Sequence, residues 1–180
     1  MKLLKLFSLF ALTSLFAFSS CDKIEDALSK DIDVKNISFV ITTPMDDSGL
    51  RADLLPFSGQ ATFDHNDPQF KDFKDYLSFI DKIKVDEVII ITTTSGNGTI
   101  VQNFNLTSPQ AGVNYTIPSY AFREEYTSPQ LVTASQDILN AILNKKTVEL
   151  KVNGLSDEKS GNILTHTIII KKGTITVKLL

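Results

Sequence analysis

Tryptophan is absent from this chain of 180 residues, histidine occurs twice and cysteine once. A single cysteine cannot close an intramolecular disulfide, so stability has to come from a hydrophobic core rather than from covalent staples. The two histidines, His65 and His166, lie far apart in sequence, which leaves no Cys/His zinc set and no His-x-x-x-His pair. Neither a Gly-x-Ser-x-Gly elbow nor a phosphate-cradling glycine loop is present. Positive charge is also short: 18 Lys and Arg against 21 Asp and Glu give a net charge of −3, which argues against a nucleic-acid partner. The apolar run Leu6 to Phe18 falls well below the roughly 20 residues a helix needs to cross a bilayer.

That run is nevertheless the most informative part of what is there. Met1-Lys2-Leu3-Leu4-Lys5 forms a basic start, Leu6 to Phe18 has the length of a secretory apolar segment, and Phe18-Ser19-Ser20-Cys21 closes it. The segment resembles a bacterial lipoprotein signal, with Phe18 where Leu is usual. The resemblance implies that residues 1–20 are removed and that Cys21 carries a covalent diacylglycerol and fatty acyl group, the only cofactor expected. Lipoproteins of this class carry two or three acyl chains, enough to hold a domain at a membrane. Losing Lys2 and Lys5 with the leader takes the net charge from −3 to −5. An acidic body does not seek anionic lipid by itself, so attachment falls to the anchor.

Composition, rich in Lys, Asn, Ile and Phe and without Trp, resembles small Bacteroidetes-type lipoproteins of unknown role. In the enterobacterial class Asp after the lipidated cysteine marks inner-membrane retention, and Asp22 stands there. Bacteroidetes sorting follows other cues, among them charged residues after the cysteine, such as Asp22, Lys23, Glu25 and Asp26. On that basis the expected location is the cell envelope, at the outer membrane, with the periplasmic or surface face open.

The remaining 160 residues amount to one domain, with Cys21 and a tether over 21–31 and the folded part over 32–180. Its pattern is mostly β. Ile32 to Thr43 reads as a strand with a phase slip at Lys35-Asn36, and Asp46 to Gly49 as a loop tip. Gly59 to Phe63 is a short strand. Asp67-Pro68 opens a helix whose Phe70, Phe73, Leu77 and Ile80 form one stripe to about Lys82. Val88 to Thr94 and Thr99 to Thr107, on either side of Gly96-Asn97-Gly98, predict an antiparallel hairpin. Val113 to Ile117 is a further strand, and a helix follows over Ser135 to Asn144 with a capping box at Thr133. Three strands end the chain: Thr147 to Gly154, then Ile163 to Lys171 and Thr174 to Leu179 joined by a tight turn at Lys172-Gly173. About eight strands without long crossover helices predict an all-β domain, an antiparallel immunoglobulin-like sandwich. A closed up-and-down barrel is the alternative.

Two clusters stand out for chemistry. Asp64, His65 and Asp67 place oxygen and imidazole groups in one loop, a weak candidate for calcium, although Asp and Asn are also what a turn and an N-cap select. Tyr115, Tyr120, Phe122 and Tyr126 lie in a Pro-punctuated stretch and are a candidate binding surface for an envelope protein or glycan. His166 shares a strand face with Leu164 and Ile168 and reads as a core histidine, and the charged loop Leu155 to Asn162 reads as exposed. No catalytic constellation emerges. The expectation is therefore a non-catalytic binding or structural module, which requires a filled interior. An apolar-ligand or lipid carrier in the periplasm is the alternative, and it requires a cavity of several hundred Å³. A hydrolase, third, requires polar groups converging in a cleft.

Overall fold

A computed structural model describes residues 29–45 and 53–178. Cys21, the leader and the Asp46-Asp47-Ser48-Gly49 tip lie outside the described residues. The chain forms two antiparallel sheets stacked as an open sandwich, the predicted architecture, and they do not close into a barrel.

One sheet is organised around a single strand. β8 (Ile163–Lys178) runs 16 residues, about 50 Å at the rise of an extended chain. Along one edge it pairs with β1 (Ser29–Val34) and β2 (Ile37–Pro44) end to end, and along the other with β4 (Ile80–Thr94). The break between β1 and β2 falls at the predicted slip, where Asn36 takes the left-handed φ of 58° that Asn tolerates. β1 begins at Ser29, three residues before the strand expected from Ile32. The second sheet has the order β3-β7-β5-β6: β3 (Leu55–Phe63), β7 (Val148–Ser156), β5 (Ile100–Ser108) and β6 (Val113–Ala121).

Several local expectations are corrected. The predicted hairpin at Lys172-Gly173 is a β-bulge inside the continuous β8: Val85 faces Gly173, Glu87 faces Lys172, and Asp86 is the extra residue. Glycine is needed there for approach rather than for turning, since a Cβ on Gly173 would sit 2.6 Å from the Lys84 carbonyl oxygen. The predicted hairpin at Gly96-Asn97-Gly98 is a crossing between sheets, because β4 pairs with β8 whereas β5 pairs with β6 and β7. The helix expected from Pro68 to about Lys82 is a 3-10 helix, Pro68–Tyr76, and β4 has already begun at Ile80. Three residues per turn superimpose Phe70, Phe73 and Tyr76, and the first two are buried.

The second helix also starts earlier than its internal pattern suggests. α1 (Pro129–Leu143) opens on Ser128, whose hydroxyl accepts from the Leu131 N–H at 3.1 Å, with Pro129 at the first helical position. It packs on β4 and β6, the adjacent edges of the two sheets, and closes that side of the sandwich. On the opposite side β2 lies against β3, where Gly59 has no room for a Cβ beside Thr43. The free edge of β4 is covered as well. Ile90 exchanges backbone bonds with Tyr126, the Thr127 hydroxyl donates to the Val88 carbonyl, and the Val85 N–H donates to the Gln136 side chain. Pro118 blunts the edge of β6. We expect Ser128→Ala to lower stability by about 1 kcal/mol, readable as a melting shift of a few degrees. The loss has two sources, the cap and the Tyr115 hydroxyl, which also bonds Ser128 at 2.6 Å.

Between the sheets, Phe39, Ile41, Ile90, Phe104, Leu106, Ile117, Leu150 and Ile168 show no accessible surface. A void large enough for a water would expose its lining, so none borders these side chains. The interior around them is filled, each large residue contributing roughly 1.5–3 kcal/mol of burial.

Candidate functional site

The loops at one end of the sandwich converge on a carboxylate. β4, β6 and β7 end at this pole and β5 and β8 begin there, so Ser95–Thr99, Ala121–Arg123 and Asp157–Asn162 meet. Glu158 sits among them 2% exposed, against the expectation that its loop is exposed. Its Oε2 accepts from the Thr94 hydroxyl and from the Gly98 N–H at 2.8 Å, and its Oε1 from the Lys159 N–H at 2.8 Å and the Asn162 amide at 2.7 Å. Burial raises its pKa, and these four donors outweigh that effect and hold it at about 2. Asp157 beside it accepts from the Thr99 N–H and hydroxyl and from the Ile100 N–H. Burial pushes Asp157 up as well, and the same bonds bring it below its ordinary value. Arg123, in the left-handed region at φ 63°, donates from Nη2 to the Gly96 carbonyl at 3.0 Å. The glycines of the crossing are small because Glu158 is close: a Cβ on Gly96 would lie 2.3 Å from Oε1.

The chemistry of this pole is structural. Every oxygen of Glu158 has two donors and the carboxylate faces no second acid, so it has no lone pair directed at a substrate. Asp157 and Glu158 were visible in the sequence only as an adjacent acidic pair. The signal that they act as loop clamps was the run Ser95-Gly96-Asn97-Gly98-Thr99, whose free N–H groups need acceptors.

Behind the pole lies a buried polar chain joining the two sheets. His166 is fully buried, stacked on Phe57 at 5.0 Å and set against Phe104 at 5.2 Å. Its Nδ1 meets the Thr92 hydroxyl at 2.8 Å and its Nε2 the Thr43 hydroxyl at 3.2 Å, while Thr92 also bonds the Tyr120 hydroxyl at 2.6 Å. Burial lowers the imidazole to about 3 and raises the Tyr120 phenol. Both ring nitrogens are paired with hydroxyls rather than carboxylates, so this histidine forms no acid–base dyad.

The aromatic candidates divide. Tyr120 and Phe122 are 7% and 6% exposed and belong to the core, while Tyr115 and Tyr126 are half-buried. Tyr120 packs on Tyr126 at 5.7 Å and edge-on to Phe104 at 5.7 Å. Burial raises the Tyr115 phenol to about 12. Beside Tyr115 an open groove of about 280 Å³ runs between Val113 and the α1 residues Gln130, Thr133 and Asp137. The three oxygen and imidazole groups of the other cluster do not converge. Asp64 Oδ1 accepts from the Asn66 N–H at 2.6 Å and Asp67 Oδ2 from the Asp64 N–H at 3.2 Å, the bonds of a turn. Among the described residues no three His, Cys, Asp or Glu side chains are grouped to hold a metal ion. No described helix is long and apolar enough to cross a membrane. No protein family, curated protein or solved structure matches this chain.

Proposed function

We propose that this chain is a lipid-anchored cell-envelope protein whose β-sandwich works by binding or scaffolding rather than by catalysis. The observation that carries the anchor is the sequence Phe18-Ser19-Ser20-Cys21 behind a basic start and an apolar segment of secretory length. The filled space around Phe39, Phe104 and Ile168 supports a binding module over a carrier, which needs an apolar cavity of several hundred Å³. The hydroxyl partners of His166 weigh against hydrolysis at that residue. The partner is an envelope protein or a glycan, and the membrane in question is the outer one.

Cys21→Ser tests the anchor. In a host with a lipoprotein pathway, the native chain takes up labelled fatty acid and sediments with membranes. The variant is expected to lose the label completely and to appear as a soluble or unprocessed periplasmic species. Membrane partitioning equal to that of the native chain rejects the reading.

A further inference from the structure

Tether length and one misplaced aromatic together orient the domain. From Cys21 to Ser29 there are eight Cα steps, a reach of at most about 30 Å when fully extended. Ser29, the first described residue, pairs with Lys178 at the last turn of β8. On the far side of Lys178 stands Phe79, whose carbonyl accepts from the Lys178 N–H at 2.9 Å. Chain entry, Lys178 and Phe79 thus lie side by side on one pole, and the loops around Glu158 lie on the other, a β8 length away.

Phe79 is 44% exposed, one of three large hydrophobic residues left so among the described residues. The fold does not account for its side chain. The turn is fixed by backbone bonds alone, the Phe79 N–H to the Tyr76 carbonyl at 2.8 Å and its carbonyl to Lys178, while Phe70 and Phe73 supply the aromatic burial. A rigid turn therefore displays an aromatic ring at the end where the tether enters. Half-buried Leu77 flanks it, and Lys30 and Lys82 are strand neighbours. Phe and Leu side chains presented on a surface bury themselves at the boundary between headgroups and acyl chains.

Resting on the lipid anchor proposed above, we infer that this pole is a membrane-contact surface: Phe79 inserts into the bilayer interface and holds the sandwich upright. The lipid surface is its occupant because the acyl group is confined within about 30 Å of this pole. Charge does not drive the contact: the chain is acidic as a whole, and of the lysines at this pole Lys178 is offset by Asp81 at 3.4 Å. The insertion is accordingly insensitive to the fraction of anionic lipid.

The absence of tryptophan supplies the test, because Phe79→Trp and Ile163→Trp are each sole indole reporters at opposite poles. Both positions are about half exposed, so the core is untouched. The full lipidated chain, its acyl mass on Cys21 verified, is reconstituted into phosphatidylcholine vesicles with and without phosphatidylglycerol. The reporter at 79 is expected to emit to the blue of the reporter at 163, to be quenched by brominated acyl chains, and to do so equally in both lipid mixtures. Equal exposure of the two reporters, or quenching at 163 instead, overturns the proposal and leaves the anchor standing. Absence of acyl mass on Cys21 rejects the anchor and the proposal with it. A blue shift at 79 in the Cys21→Ser chain without vesicles, rising with protein concentration, assigns Phe79 to contact between copies and also overturns it.

Discussion

Glu158→Gln is expected to cost about 3 kcal/mol at neutral pH and to lower the melting temperature by roughly 10 °C, the largest effect of any single isosteric change in the domain. The reason is donor count. Each carboxylate oxygen accepts two bonds, so an amide turned either way sets its own N–H groups against two donors. Turned toward Lys159 and Asn162, it opposes a backbone N–H and an amide. Turned toward Thr94 and Gly98, the hydroxyl can rotate to accept, but the Gly98 N–H cannot. Every orientation leaves at least one buried donor without an acceptor, and the site gains no space in exchange. Thermal unfolding of both proteins at pH 7 checks the magnitude, and a shift within a degree of zero rejects the clamp. The pH dependence supplies a second reading. Because the folded value is about 2 against an ordinary value near 4.5, the stability Glu158 contributes is complete above 4.5 and is lost as pH falls toward 2. The two proteins should therefore converge in acid.

The second large effect belongs to His166 and appears at milder acidity. The buried imidazole holds a pKa of about 3 against an ordinary 6.5, so the unfolded chain binds the proton first. Stability is full above 6.5 and falls by about 1.4 kcal/mol per pH unit below it, reaching a loss of roughly 4–5 kcal/mol near pH 3. That is a large part of what a domain of this size possesses. Urea midpoints at pH 7, 6 and 5 isolate the effect, since most carboxylates remain ionised there. The native protein should lose about 2 kcal/mol over that span, and His166→Gln should stay nearly flat despite starting lower. A native protein with the same midpoint at pH 7 and pH 5 contradicts the burial of a neutral ring. The charged form has nowhere to go: its neighbours are Phe57, Phe104 and two hydroxyls, with no anion among them.

Much of this fold is legible in local sequence, and the failures share one cause. Alternating apolar residues locate the strands, and the slip at Lys35-Asn36 is visible because two polar residues interrupt the pattern. What a local pattern does not carry is the partner. Lys172-Gly173 reads the same whether the chain turns back or bulges, and only Lys84 across the sheet decides. The Ser95–Thr99 segment reads as a hairpin turn until Asp157 and Glu158, about 60 residues away, claim its N–H groups. Ser128-Pro129 is a different case, because it carries the same start signal as Asp67-Pro68 and the helix pattern inside Ser135–Asn144 drew the boundary inward. For the candidate site the same limit applies. Glu158 looks like one more surface charge, and its burial depends on four donors from three segments.

The arrangement of the first sheet makes it depend on one strand. β1, β2 and β4 have no pairing with one another; the strand that each pairs with is β8, the most C-terminal of the described strands. More than a hundred residues separate Ser29 from its partner Lys178, and such distant pairings form slowly. Without β8, the other three strands of this sheet have no partner strand. The sheet β3-β7-β5-β6 uses no residue of β8, so only one of the two sheets depends on that strand for its pairing. Damage confined to that one strand would therefore dismantle one sheet and leave the pairings of the other in place.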